Sequence, residues 1–163
     1  MKFYFALLMD ATDLRLLAQL QLDASLTNQA LAERVHISPA TCLRRVKRLI
    51  DAGIIESRVA ILSPEKLGAG LTAIVELTLD QQAAERLSAF ETRAVADSAV
   101  QQCYRVSSGP DFVLILQVAD MPAYQAAASR LFATDANVRN VRAFFSVHRA
   151  KFSPHISLPA AEQ

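Results

Sequence analysis

Four cations fall within five residues, as Arg44, Arg45, Lys47 and Arg48, and no acidic residue lies between Arg34 and Arg48. A cluster of this kind is built for a polyanion. Guanidinium forks match phosphate oxygens and the O6/N7 edge of guanine, so a helix that carries them is suited to a DNA groove. There, phosphates supply affinity and base edges supply choice. A charge run met alone is more often a solvated helix face. Here the neighbouring sequence argues for DNA.

Residues 27–55 contain two helix patterns separated by too few residues for anything but a sharp turn. Thr27 is an N-cap candidate, and Leu31 with Val35 forms the i, i+4 stripe of a short first helix. After His36 and Ile37, Ser38 can cap the orphan N–H groups of a second helix. Pro39 suits its first position because the missing donor is not needed there. At 3.6 residues per turn Cys42, Leu43, Val46, Leu49 and Ile50 fall on one side. Thr41, Arg44 and Arg48 fall opposite, with Arg45 and Lys47 at the flanks. Gly53 supplies a left-handed stop. The pattern is a helix-turn-helix with double-stranded DNA as partner. Its contact candidates are Ser38, Thr41, Arg44, Arg45, Lys47 and Arg48: Thr41, Arg44 and Arg45 for bases or the groove wall, Lys47 and Arg48 mainly for phosphates.

The supporting elements follow in order. Leu14, Leu17, Ala18 and Leu22 place a helix over residues 13–22 as the third side of a three-helix core, with Asp13 as an N-terminal charge favoured by the helix dipole. Residues 54–62 are β-rich and read as a linker strand, in which Arg58 either touches a phosphate or is an ordinary exposed arginine. Over residues 71–80, Leu71, Ala73, Val75, Leu77 and Leu79 share one face of a half-buried strand. A helix over 83–96 carries Leu87, Phe90 and Val95. Strands over 100–107 and 112–119 flank the turn Ser108-Gly109-Pro110-Asp111. A helix over 121–133 carries Tyr124, Ala127, Ala128 and Leu131, and a last strand covers 138–152.

This order predicts an α+β chain: an N-terminal winged-type helix-turn-helix three-helix domain (9–53), a strand linker (54–68), a C-terminal ferredoxin-like βαββαβ domain (69–154) and a tail (155–163). A four-stranded sheet with both helices on one face leaves the other face open. Two such sheets are expected to pack back to back in a homodimer.

The 163 residues are 52% hydrophobic, enough for real cores, and the formal charge is +1. Nine Lys/Arg face seven Asp/Glu up to Gly68, and eight face nine beyond it, so the basic character is local. Cys42 and Cys103 stand apart without ligand spacing, which predicts no disulfide framework and no metal. Cys42 reads as a small core residue in a reducing cytoplasm. His36, His148 and His155 have no carboxylate or cysteine at ligand-like spacing. There is no P-loop, nucleophile elbow or HExxH, so neither an enzyme nor a cofactor is expected. No stretch is long enough to cross a membrane, and MKFYFALLM is a poor signal peptide; the residues before Met9 read as an extension, with a strand packed on a neighbour as one form of it.

SPATCLRRVKRLIDAGII resembles the recognition helix and wing entry of the Lrp/AsnC, or feast/famine, transcription regulators. MDATDLRLLAQLQLDASLTNQALAERV resembles the rest of that family's DNA-binding domain, and VSSGPDF and ADMPAYQ resemble its effector domain. The similarity spans about Met9 to Leu158. It implies a regulator modulated by an amino acid or related metabolite, assembled as a homodimer or a higher oligomer such as an octamer. Asp111 is then the acidic partner of an effector ammonium, Ser107, Ser108 and Gly109 offer donors, and Met121 lines the side-chain pocket. Two departures from the family pattern stand out. The glycine of the Gly-x-x-Asp motif is displaced, and Val141 and Ala143 replace hydroxyl residues of the last strand. Both changes favour an alternative, an effector-independent architectural protein that organises DNA.

Overall fold

A computed structural model of the chain describes residues 9–159. These divide into two compact units, one formed by residues 9–61 together with 152–159, the other by Leu62–Lys151. The expected extension before Met9, and residues 160–163 of the expected tail, lie outside the described residues.

Three helices make the first unit: α1 (Ala11–Leu22), α2 (Asn28–Val35) and α3 (Pro39–Asp51). Helix α1 starts two residues earlier than its periodicity suggests, because Asp10 and Asp13 close a reciprocal capping box. The Asp10 carboxylate accepts the Thr12 and Asp13 N–H groups at 2.9 Å each, and the Asp13 carboxylate accepts the Asp10 N–H at 3.2 Å. The core joins Leu16, Leu31, Ala32, Val35, Cys42 and Val46. Leu16 takes the central place expected of Leu14, and Leu22 is exposed. Leu43 and Ile50, expected inward, are 62% and 45% exposed. The cause is geometric: two short neighbouring helices cover only the narrow stripe Cys42, Val46 and Leu49, and among the described residues no third element lies over the adjoining flank of α3.

The segment expected as a linker strand forms no ladder. Residues 56–62 run without regular structure, with Val59, Ile61 and Leu62 exposed. High β-propensity does not make a strand unless a neighbour takes up its N–H and C=O groups. Within the expected tail (155–163), the Ile156 N–H donates to Gln21 Oε1 of α1 at 2.8 Å while Gln21 Nε2 donates back to the Ile156 carbonyl at 3.2 Å.

The second unit carries β1 (Leu71–Leu79), α4 (Ala84–Ala96), β2 (Val100–Arg105), β3 (Phe112–Val118), α5 (Met121–Ala128) and β4 (Val138–Phe145), and α5 continues as a π-helical turn over Ser129–Ala133. The sheet order is β2-β3-β1-β4 with antiparallel neighbours, the expected ferredoxin-like arrangement. Alternation along β1 and β3 sends Ala73, Val75, Leu77, Leu79, Phe112, Leu114 and Leu116 under the helices, against Phe90 and Ala94 of α4 and Ala127, Leu131 and Phe132. Ala94, not Val95, is the buried residue at the end of α4. Strand β4 stops at Phe145, short of the expected 152. Its last rung is the Ser146 N–H to the Thr72 carbonyl at 2.9 Å, and β1 begins at Leu71, so no partner remains beyond it. The other face of the sheet presents Ile74, Phe144, half-buried Val113 and Ile115, and a Glu76–Arg142 ion pair at 3.3 Å.

Candidate nucleic-acid interface

The turn between α2 and α3 is set by four local devices. Thr27 caps α2 by accepting the Ala30 N–H at 3.2 Å. His36 ends that helix in the left-handed region at φ 57, and the Ile37 N–H returns to the Ala32 carbonyl at 3.0 Å. Ser38 caps α3: its Oγ accepts the Thr41 N–H at 3.2 Å and its hydroxyl donates to Thr41 Oγ1 at 2.8 Å. Asn28 Nδ2 then donates to the Pro39 carbonyl at 2.8 Å, which joins the N-termini of the two helices directly. At the far end Gly53, at φ 68, allows the Ile54 N–H to reach the Leu49 carbonyl at 3.0 Å. The ends of α3 are therefore closed, and its outward face is held at a defined angle.

On that face the four cations divide into two kinds. Arg44 is exposed and makes no ion pair among the described residues, and Lys47 has only an exposed i, i+4 contact with Asp51 at 3.8 Å. Arg45, a candidate for the bases or groove wall, and Arg48, a candidate for a phosphate, are both turned toward α1. Arg45 Nη1 donates to Asp10 at 2.7 Å and to Asp13 Oδ1 at 3.0 Å, and Arg48 Nη2 donates to Asp13 Oδ2. The side chain of Asp13 is fully buried, whereas those of Arg45 and Arg48 are 21% and 53% exposed. Asp10 and then Asp13 hold the Arg45 guanidinium above its ordinary value. Against the opposing pull of partial burial, the Asp13 N–H and Arg45 hold the Asp10 carboxyl below its own. Thr41 stands half-buried one turn into α3, behind the capped end. Burial pushes the Cys42 thiol up, as for an inert core residue.

The sequence reasoning missed Asp10, Asp13 and Asn28 as determinants of this face. The i, i+3 pair of aspartates just before an apolar helix was the available sign of the capping box. Nothing local announced the arginines.

In the second unit Ser107, Ser108 and Gly109 are exposed in the β2–β3 turn, with Gly109 at φ 86, and Met121 is 41% exposed at the start of α5. Asp111 has a structural occupation. Its N–H donates to the Leu77 carbonyl at 2.8 Å and its Oδ2 accepts the Leu79 N–H at 2.7 Å, so the side chain supplies one more rung where the β1–β3 ladder ends. A groove of about 500 Å³ opens between the α5/π segment and β4, lined by Tyr124, Phe132, Val138, Arg139, Asn140 and Val141 among others. None of the five effector candidates lines it. Among the described residues no three His, Cys, Asp or Glu side chains gather as a metal site would require, and no helix is long and apolar enough to cross a membrane.

Comparison with known proteins matches both units. Residues 9–56 match a winged helix-turn-helix DNA-binding family model, and residues 72–156 match the Lrp/AsnC ligand binding domain. The chain is 36% identical over 152 residues to the DNA-binding transcriptional activator DecR of Escherichia coli K12, covering 93% of this chain and 99% of that one. It is 33% identical to the leucine-responsive regulatory protein of the same strain, covering 89% and 88%. Among solved structures, an AsnC family transcriptional regulator from Agrobacterium tumefaciens superposes with a TM-score of 0.85 at 31% identity, over 92% of this chain and 97% of that one. A transcriptional regulator from Neisseria meningitidis in complex with L-Met superposes with a TM-score of 0.84 at 31% identity and the same coverage.

Proposed function

The chain belongs to the Lrp/AsnC family of transcriptional regulators, and on that premise we propose how it meets DNA and what its C-terminal domain senses. Helix α3 enters the major groove of double-stranded DNA with Thr41 and Arg44 toward base edges and Lys47 toward a phosphate, while Ser38 holds the helix end. The single observation that carries this assignment is the exposed, unpaired Arg44 on a helix whose two ends are both capped. The protein works as a homodimer in the cytoplasm and catalyses no reaction. The apolar outer sheet face around Ile74, Val113, Ile115 and Phe144 supports back-to-back pairing of two C-terminal domains, with octamers as the higher assembly. Two-fold symmetry then requires half-sites about 10 bp apart or a multiple of that.

The effector is an amino acid, and the L-Met complex of the Neisseria relative supports that class. Ser107, Ser108, Gly109 and Met121 surround it, with the free oxygen of Asp111 facing its ammonium. The second reading, an effector-free DNA organiser, is favoured by one observation: the Leu79 N–H already occupies Asp111 Oδ2. Selection of genomic fragments with purified protein, with and without pooled amino acids, tests both readings. A recovered near-palindromic motif whose affinity shifts with an amino acid supports the regulator. Calorimetry with all common amino acids showing no heat leaves the organiser. In the same assay Arg44→Ala lowers operator affinity by about 1–3 kcal/mol and relaxes one position; wild-type affinity on every fragment would remove α3 from the groove.

A further inference from the structure

The division of the α3 cations has a consequence for how the protein tells one DNA sequence from another. Asp13 is the one charged side chain fully buried among the described residues, and it comes from α1, 32 positions before Arg45 and 35 before Arg48. Both of its oxygens are in use: Oδ1 takes Arg45, and Oδ2 takes Arg48 and the Asp10 N–H. Arg45 and Arg48 are three residues apart, so they share one side of α3, and each is pulled toward the same buried point. The capping box holds that point, since Asp10 and Asp13 each accept from the other's backbone and Asp10 also takes Arg45. The cluster therefore grips α3 laterally, along the helix side that borders the DNA-facing residues. It also withdraws two positive charges from the pool that could meet phosphates.

We infer that Asp13 is a positioning residue for DNA recognition, which fixes the rotation of α3 and keeps Arg45 and Arg48 off the phosphate backbone so that Arg44 and Thr41 decide the sequence. The inference rests on the assignment of α3 as the groove-reading helix. Its logic is that Arg45 or Arg48, once released from Asp13 at the border of the reading face, would meet phosphates, and phosphate contacts carry no sequence information. Holding two of the four cations lowers indiscriminate binding more than it lowers operator binding.

The test uses the full-length protein, a duplex enriched from random sequence by the wild-type protein, and a random-sequence duplex of equal length, each titrated across salt concentrations. Asp13→Asn keeps the size of the side chain and removes its charge. The expected result is random-duplex binding that is unchanged or tighter, a salt slope steeper by about one as Arg48 reaches a phosphate, and an operator-to-random ratio reduced about tenfold. Asp13→Asn/Arg48→Gln is expected to return the slope to its wild-type value while the ratio stays low. A merely structural Asp13 gives a different pattern, with both affinities falling together and the slope constant, and that result overturns the inference. If Asp13→Asn does not fold, the half-exposed Arg48→Gln decides alone. A lowered ratio at constant slope upholds the inference, and a slope shallower by about one on both duplexes makes Arg48 a phosphate contact and overturns it. Arg44→Ala, run alongside, reports separately on the recognition-helix assignment.

Discussion

In the C-terminal unit the fully buried large side chains are all apolar, from Phe90 and Phe112 to Leu77, Leu79, Leu114 and Leu116. In the N-terminal unit a carboxylate, Asp13, is as deeply buried as Leu16 and Val35. The difference follows from what each unit has to work with. A four-stranded sheet under two helices offers a broad face on which alternation alone buries a continuous apolar layer. Its ion pairs, Arg93–Asp135, Arg130–Asp97, Arg142–Glu76 and Arg149–Glu65, keep their arginines in solvent, where screening leaves each a small contribution to stability. Three short helices have only narrow stripes to pair, and hydrophobic attraction between stripes is non-directional. A buried, fully hydrogen-bonded carboxylate with two guanidinium partners has one geometry. The N-terminal unit thus relies on directional contacts where its function needs a helix face at a fixed angle, and the C-terminal unit relies on packing.

The contrast can be broken from either side. The largest effect is expected in the packed unit. Phe112→Ala removes a ring that lies 4.8 Å from Phe90, centroid to centroid. Denaturant titration should show that unit destabilised by about 3–5 kcal/mol, with no added dependence on salt. Next comes the clamp. Asp13→Ala should cost the N-terminal unit about 1.5–3 kcal/mol in hydrogen bonds to charged groups. The loss stays below the ~3–5 kcal/mol that breaking a buried pair can cost, because the two arginines left behind can reach water. Thermal unfolding followed at several salt concentrations would show it. An equal salt dependence in Phe112→Ala and Asp13→Ala would erase the distinction between the units.

The smallest expected change sharpens the comparison within the C-terminal unit, at its own directional contact. Asp111→Ala leaves the Leu79 N–H without its partner and should cost about 1 kcal/mol. Asp111→Asn keeps an oxygen for that N–H and should restore most of this stability. If Asp111 also meets an effector ammonium, neither variant responds to an amino acid, because both lack the charge. Recovery of the response in Asp111→Asn would leave Asp111 with its ladder role alone.

Much of the architecture was legible because it is written in short-range chemistry. Ser38 before Pro39, Gly53 after the last turn of α3, and the alternation from Leu71 to Leu79 each act within a few residues, and the structure carries every one of them. The alternation also determined which sheet face would be buried under the helices, and the order of elements determined the ferredoxin-like topology. Tertiary structure alone decided what depends on the approach of distant elements. Residues 56–62 have the composition of a strand but find no ladder among the described residues. Leu43 and Ile50 satisfy the helical period, yet among the described residues only two helices cover α3. Arg45 and Arg48 look like Arg44 in the sequence, and only the packing of α1 against α3, with Asp13 beneath, sets them apart. The reason is physical: a helix cap or a period is satisfied by the backbone next to it, whereas the partner of a long charged side chain is whichever opposite charge folding brings within about 3 Å.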